Sequence, residues 1–446
     1  MVQVTPGVLT NKEIIDIVNT FDGSQERQNI IDNLKYYKGN NPHITERSVP
    51  DDSGPDNRIP VSYARRIINI VIGYMFKPGL VQYTSENEKY LELLNEVFKE
   101  NNEPLRTEQA GKQTSIQGIG YEYHYIDPRG PRFVKLSAAE VIPIYDWSVD
   151  PELWAFIRYY KKNDSYIINL VDDKAITEYS WKKEASGLTF ISTTPHFYNE
   201  VPLVVYRNNE DLIGDFDPIE PLIDAYDTLI SDSMNEFDRF AWAYLILKGM
   251  SLNPENAEKI KRMRMFENLD DEQGVSFLTK TIDTAFIQFM TETIRQEIHR
   301  QSGIPNLDDY TFGGAASGAT LGKFIYLMEL FTDPKESYFT EGLYKRIRLI
   351  TNVLKFLSKP VGEPEEITVI MNRNKPDASL EQAQIFSLYD GRVSRKTLLE
   401  NFADFVKDAQ KELDQLKEEQ GQIYDAGLIA EYQDGSEDGE PDDSAM

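Results

Sequence analysis

The sequence predicts a mainly α-helical chain with one mixed α/β region in its first half. Three observations carry this. Apolar residues recur at spacings of three and four through two unusually long stretches, 218–248 and 319–357. Between Gly118 and Tyr206 the pattern changes to short β-type runs broken by turn residues. Hydrophobic residues make up 40% of the 446 positions and charged residues 27%, enough apolar material for folded cores.

Residues 11–39 read as helical, with Ile14, Ile15, Ile17, Val18 and Phe21 on one stripe, Ile30, Ile31, Leu34 and Tyr37 on a second, and Gly39 as the stop. A loop rich in Pro, Asp and Asn follows to Arg58. Helix resumes from about Pro60 to Phe76 and stops at Pro78-Gly79. Another amphipathic helix is expected over 87–101. Strands are expected at 121–126, 132–136, 140–144, 155–160, 166–171, 175–180 and 203–206, forming an antiparallel sheet.

The strongest helical signal is 218–248, with Asp217 expected as N-cap and Pro218 in the first turn. At 1.5 Å per residue such a rod runs roughly 45 Å, more than a small domain needs. A variable region to about Lys280 separates it from a second helix over 281–302, which Gly303 ends. Then comes the small, nearly uncharged segment Tyr310-Thr311-Phe312-Gly313-Gly314-Ala315-Ala316-Ser317-Gly318, and a very long helical pattern over 319–357. Asp333-Pro334 either bends that helix or opens a new one. A strand at 366–371 and helices at 379–389, 394–402 and 404–419 complete the pattern. Residues 431–446 hold seven acidic and no basic side chains, a composition that predicts disorder.

Several chemistries are excluded. Without cysteine there are no disulfides and no thiolate zinc sites. The four histidines show no metal-ligand spacing, and His299 is expected on the polar surface of its helix. Gly322-Lys323 is followed by Phe324, and position 317 is Ser, so the P-loop pattern fails. No cofactor is expected. The first residues carry no basic-then-apolar leader, and no run approaches the roughly 20 apolar residues of a membrane span. Among 74 acidic residues a catalytic pair has no distinguishing spacing. Two basic clusters stand out. Lys259, Lys261, Arg262 and Arg264 suit equally a docking surface for an acidic partner and an ordinary helix face. Lys345, Arg346 and Arg348 fit better as a helix face with local salt bridges. With a net charge of −27, the chain is poorly suited to gripping DNA over a broad surface.

The order of pieces, and certain short motifs, resemble the portal family of tailed bacteriophages, in the siphovirus branch of Gram-positive hosts. Tyr36-Tyr37-Lys38-Gly39 with Ile44 is similar to its opening helix and turn. Asn57-Arg58-Ile59-Pro60 and Gly73-Tyr74-Met75-Phe76-Lys77-Pro78 are similar to its next element. Asn199-Glu200-Val201-Pro202-Leu203-Val204 leading to Leu222-Ile223-Asp224-Ala225-Tyr226-Asp227 resembles its first stem helix. Phe312-Gly313-Gly314 with Ser317-Gly318 resembles its tunnel loop, and Val393-Ser394-Arg395-Lys396-Thr397-Leu398-Leu399 its crown.

The resemblance implies a fold that is mainly α with an α/β wing. It divides the chain into wing (1–217), stem helix 1 (218–250), clip (251–280), stem helix 2 (281–303), tunnel loop (304–318), spine helix (319–360), crown (361–420) and acidic tail (421–446). It implies a non-enzymatic ring of about twelve copies at one capsid vertex, with stem packing through Leu222, Tyr226, Leu229, Phe237, Phe286 and Ile294. Double-stranded DNA would pass without sequence specificity, brushing Tyr310–Gly318. The clip cluster would dock the terminase large subunit and later a head-completion adaptor. Major capsid and scaffolding proteins are further implied partners, and a membrane is not. The chain would assemble in the host cytoplasm and end in the virion. A non-ring helical scaffold or adaptor, and a carboxylate-dependent hydrolase, are the competing readings.

Overall fold

Thr10 starts the first described helix by a reciprocal cap: its hydroxyl accepts from the Glu13 N–H, and the Glu13 carboxylate accepts from the Thr10 N–H. A computed structural model describes residues 2–48, 54–183, 187–241, 244–248, 274–278, 283–306, 318–375, 387–389, 392–402 and 410–418. They form two units, Met1–Gly314 with Lys323–Lys375, and Ala315–Gly322 with Pro376–Met446. The architecture is mixed α/β with a large helical share.

In the first unit, β1 (Val2–Gln3) precedes α1 (Asn11–Asp22) and α2 (Gln25–Lys38). Gly39 ends α2 at a φ of 79°, the left-handed cap that only glycine adopts cheaply. The Pro/Asp/Asn loop contains one short helix, α3 (Pro42–Thr45). α4 (Tyr63–Met75) is buried along most of its length and forms the centre of the largest core. It is followed by β2 (Val81–Thr84) and α5 (Glu88–Asn101), which Asn87 caps. A further helix, α6 (Glu103–Gln117), has no counterpart in the sequence reading. Its buried face is Thr107, Ala110, Gly111, Thr114 and Ser115, small and polar residues that make no apolar stripe. Gly111 lets it approach the Phe76 ring, where a Cβ would sit 2.7 Å from ring carbons.

The strand region forms two sheets rather than one. β3 (Ile119–Asp127), β4 (Gly130–Leu136) and β10 (Leu203–Arg207) make a three-stranded sheet in the order β10-β3-β4. β5 (Val141–Tyr145), β6 (Leu153–Lys162), β7 (Ser165–Val171), β8 (Ala175–Trp181) and β9 (Thr189–Pro195) make a six-stranded sheet with β1, in the order β1-β5-β6-β7-β8-β9. The edge pair β1–β5 is parallel and the other pairs are antiparallel. β9 escaped the sequence reading because all seven of its residues are exposed and lack apolar alternation.

The helix expected over 218–250 is shorter than its pattern. A 3-10 turn at Asp217–Ile219 leads into α7 (Glu220–Ala241), and Tyr244–Lys248 is a strand, β11, paired antiparallel with β12 (Gly274–Leu278). Tyr-Leu-Ile-Leu continues a helical apolar period as easily as it forms a strand, so periodicity alone misassigns it. Asp217 is not the N-cap either. Its carboxylate accepts from the Gly214 N–H and Asn33 Nδ2 across the turn.

α8 (Thr284–Ser302) ends at Gly303 in the left-handed region. α9 (Gly318–Phe356) is a single helix of 39 residues that runs through Pro334. The proline therefore interrupts no more than a backbone hydrogen bond there. β13 (Thr368–Met371) pairs antiparallel with β2, so this strand belongs to the first unit and not to the segment 361–420 as a separate body. In the second unit, α10 (Arg395–Phe402) and residues 410–418 are helical. Among the described residues no helix is long and apolar enough to cross a membrane.

Candidate interaction surfaces

α7 and α8 pack against each other as an antiparallel pair. At its base the pair is core: Ile219, Ile223, Tyr226 and Ile298 are buried, and Leu222, Ile230 and Ile294 pack on them half-buried. Leu229 is half-buried as well. Farther out the same stripes open to solvent. Phe237, Phe286 and Phe289 are 61%, 57% and 64% exposed, and Met234 is 40% exposed. Of the six residues expected to pack the rods, four thus pack at least partly within one chain. Phe237 and Phe286 do not. Three phenylalanines facing water on adjacent rods form an apolar patch that a partner must cover.

The pair is fixed to the body by a polar ladder on α7. Asp224 accepts from the Tyr36 hydroxyl at 2.8 Å and Asn41 Nδ2 at 2.9 Å. Asp227 accepts from the Val61 N–H and Asn41 Nδ2, both at 2.8 Å. Ser231 Oγ accepts from the Ile59 N–H, and Asn235 and Asp238 accept from Asn57. The Asn57–Val61 stretch, which reads as loop, is therefore a strap along the helix.

Asp227 is fully buried and receives only neutral donors. Burial pushes its carboxyl up to about 6, against the Val61 and Asn41 hydrogen bonds that pull it down, and the nearby Asp224 adds to the rise. Its folded value lies above its unfolded value. The folded state therefore holds the proton more tightly, and stability from this group increases as pH falls from 7 through 6 towards 4. Denaturation midpoints should rise over that window in the native chain. The difference between the native chain and Asp227→Asn should slope with pH between 5 and 7; a pH-independent difference would remove Asp227 as the cause.

The basic positions on α9 do not form a phosphate-facing patch. Arg346 is fully buried. Its Nε and Nη2 donate to Glu122 at 2.9 and 2.7 Å, and its Nη1 donates to Glu103 at 2.9 Å and Thr107 at 2.6 Å. The guanidinium lies over the Phe133 and Tyr206 rings. Lys345 and Arg348 both reach Glu200. His299 is not a surface residue either. Its Nδ1 lies 3.0 Å from the Ile304 carbonyl and its ring packs edge-on against Tyr63. The turn at Gly303 folds the chain back over what the helix alone presents as a polar face.

Buried carboxylates are the features a hydrolase would need, but here they are satisfied structurally. Glu122 is held at about 2 although burial alone would raise it, because Arg346 and His124 favour its ionised form. Glu103 accepts from Tyr83, Thr107 and Arg346. Among the described residues no group of three potential ligands could hold a metal ion. Positions 310–317 of the glycine-rich segment, and Lys259, Lys261, Arg262 and Arg264, lie outside the described residues; Gly318 opens α9.

Comparison with known proteins places this arrangement. Residues 21–425 match the family described as phage portal protein, SPP1 Gp6-like. The portal protein of Bacillus phage SPP1 is 23% identical over 427 residues, covering 89% of this chain and 83% of that protein. The portal protein of Clostridium phage phiCD119 is 26% identical over 419 residues, covering 86% of this chain and 92% of its own. Among solved structures, a chain from the neck of a native gene transfer agent particle computed with C12 symmetry overlays with a TM-score of 0.48 at 10% identity, covering 84% of this chain and 93% of its own. With nine-tenths of its length matching that family, the chain belongs to the SPP1 Gp6-like phage portal proteins, structural components of the virion that take part in DNA packaging and are not enzymes.

Proposed function

We propose that the chain assembles into a ring of about twelve subunits around a channel for double-stranded DNA, with α7 and α8 as the stem rods. The observation that carries this is the exposed phenylalanine patch of Phe237, Phe286 and Phe289 on the outer half of the rods. In a ring, each subunit's patch is sealed by a neighbour. Residues 251–280, with Lys259, Lys261, Arg262 and Arg264, act as the clip that docks the terminase and then the adaptor. Tyr310–Gly318 is the loop that brushes DNA, and 376–420 faces the head interior. A net charge of −27 suits a conduit, because a wall that repels phosphates lets the duplex slide where a basic wall would brake it.

Light scattering on the purified chain should give a particle of about twelve times 51.3 kDa. Replacing Phe237 and Phe286 together by Asp should shift the material to monomer while far-UV circular dichroism stays native, since both side chains are exposed in the single chain. A native chain that remains monomeric favours the scaffold reading and overturns the ring. Rings unaffected by the double substitution would remove the stem patch from the interface.

A further inference from the structure

The six-stranded sheet carries two exposed apolar groups that the proposed stem does not use. The first is the tip between β5 and β6. Trp147 is 66% exposed and Val149 stands fully in solvent. The tip is nonetheless tightly built. The Asp146 carboxylate accepts from the Ser148 N–H, the Ser148 hydroxyl and the Glu152 N–H, at 3.2, 2.7 and 2.9 Å. The Asp146 N–H donates to the Glu152 carbonyl, and Gln3 Nε2 donates to the Asp146 carbonyl. These bonds hold two large apolar side chains in water in a fixed pose. A pre-organised tryptophan loses little freedom on docking and is the residue type most enriched among interface anchors.

The second is an aromatic platform. Phe197 and Phe356 stack in parallel, with centroids 4.3 Å apart and planes 11° apart, and each remains about half exposed beside Leu357. Phe197 follows directly on β9. The adjoining His196 N–H donates to the Lys174 carbonyl in the β7–β8 turn, which fixes the platform to that end of the sheet.

The topology relates the two groups. β5 climbs to the tip, β6 descends, β7 climbs to the turn at 172–174, β8 descends, and β9 climbs to Phe197. Tip and platform therefore lie at the same end of the sheet. They sit towards its opposite edges, since three strand spacings, roughly 14 Å, separate β6 from β9. Their charges are complementary. No basic residue occurs from 136 to 157, and the tip carries Asp146, Asp150 and Glu152. Lys359 and Lys355 flank the platform on the end of α9 and the turn after it, with Lys174 beside it; Lys355 and Lys174 each have one carboxylate neighbour, Glu363 and Asp173.

We propose that the occupant of the platform is the Trp147–Val149 tip of a second copy of this chain. The contact is head-to-tail, so it uses two different patches on each subunit at one level, as a cyclic ring requires and a two-fold dimer does not. It rests on the ring reading above, and adds a second seam between subunits far in sequence from the stem.

The chain has no cysteine, so Val149→Cys and Leu357→Cys introduce the only thiols, both at exposed positions. Full-length chains carrying one substitution each are co-assembled and treated with a short bis-maleimide, and the rings are checked by light scattering before denaturing electrophoresis. The expected result is a linked dimer in the mixture and none in either variant alone. A chain with both substitutions should give a ladder of linked chains. Intact rings in which the double variant stays at single-chain mass would overturn the contact and leave the ring reading standing. Dimers from Val149→Cys alone would also overturn it, because the tip would then meet another tip. A native chain that forms no ring fails at the earlier step, before any cross-linking.

Discussion

Replacing Arg346 by methionine should cost the folded subunit about 3–5 kcal/mol, because it leaves two carboxylates buried without their cation. Arg346 is fully buried where α9, α6 and β3 meet, and it donates to Glu122 through two nitrogens and to Glu103 through a third. Arg346→Lys keeps the charge but supplies no planar fork for two carboxylates. It should remain at least ~2 kcal/mol below the native chain. Combining Arg346→Met with Glu122→Gln and Glu103→Gln removes the uncompensated charge and should regain most of the loss.

The pH dependence gives a second readout. Glu122 is held at about 2 in the folded chain, below its ordinary value. Its contribution is therefore present above about pH 4.5 and is lost as pH falls towards 2. Without Arg346 that sign inverts: burial disfavours the charged form, and acidification should stabilise the variant. Urea midpoints at pH 7 and pH 5 test both statements. An Arg346→Met midpoint within 1 kcal/mol of native at pH 7, or a variant that weakens further at pH 5, would refute the account.

This network marks the limit of what the sequence discloses. Arg346 sits between Lys345 and Arg348 and so reads as part of a surface patch. Its partners lie 224 and 243 positions away, and no local pattern brings them together. α1, α2, α4 and α5 were legible because each pairs an apolar period with a stop or a cap, such as Thr10, Gly39 or Asn87. α6 was not, because it buries threonine, alanine, glycine and serine. The rods show a subtler ambiguity. Tyr226 and Phe237 lie on one continuous stripe, yet the first is buried by this chain and the second is exposed. A hydrophobic period reports that a face must be covered; it does not report whether the same chain or a neighbour covers it. Gly118 was also invisible. It takes a φ of 75° beside the Leu212 carbonyl, where a Cβ would come within 1.9 Å, and that close approach fixes the junction of α6 and β3.

The second large effect is expected at Lys335, one residue beyond the proline that interrupts the α9 ladder. Its ammonium is buried and donates to both Asp215 oxygens, at 2.9 and 2.8 Å, and to Ser115. Asp215 also accepts from Asn208 Nδ2, and its own N–H donates to the Ser115 carbonyl, so helix, α6 terminus and the approach to α7 meet at this pair. Pro334 supplies no N–H to the preceding turn, which makes this clamp the polar tie at the helix's weakest point. Lys335→Met should destabilise by about 3–5 kcal/mol. The two halves of the pair should then respond to pH with opposite signs. Burial already pushes the Lys335 ammonium below its ordinary value, with Asp215 pulling the other way. In Asp215→Asn that pull is gone, the folded state sheds the proton more readily than the unfolded chain, and stability should rise with pH above neutrality. In Lys335→Met the buried carboxylate has lost its cation, proton uptake favours the folded state, and stability should rise as pH falls. Denaturation midpoints for both variants between pH 5 and pH 9, referenced to the native chain, decide the matter. Slopes of the same sign, or two flat profiles, would mean that the pair carries no net charge interaction and that packing alone holds α9 at Pro334.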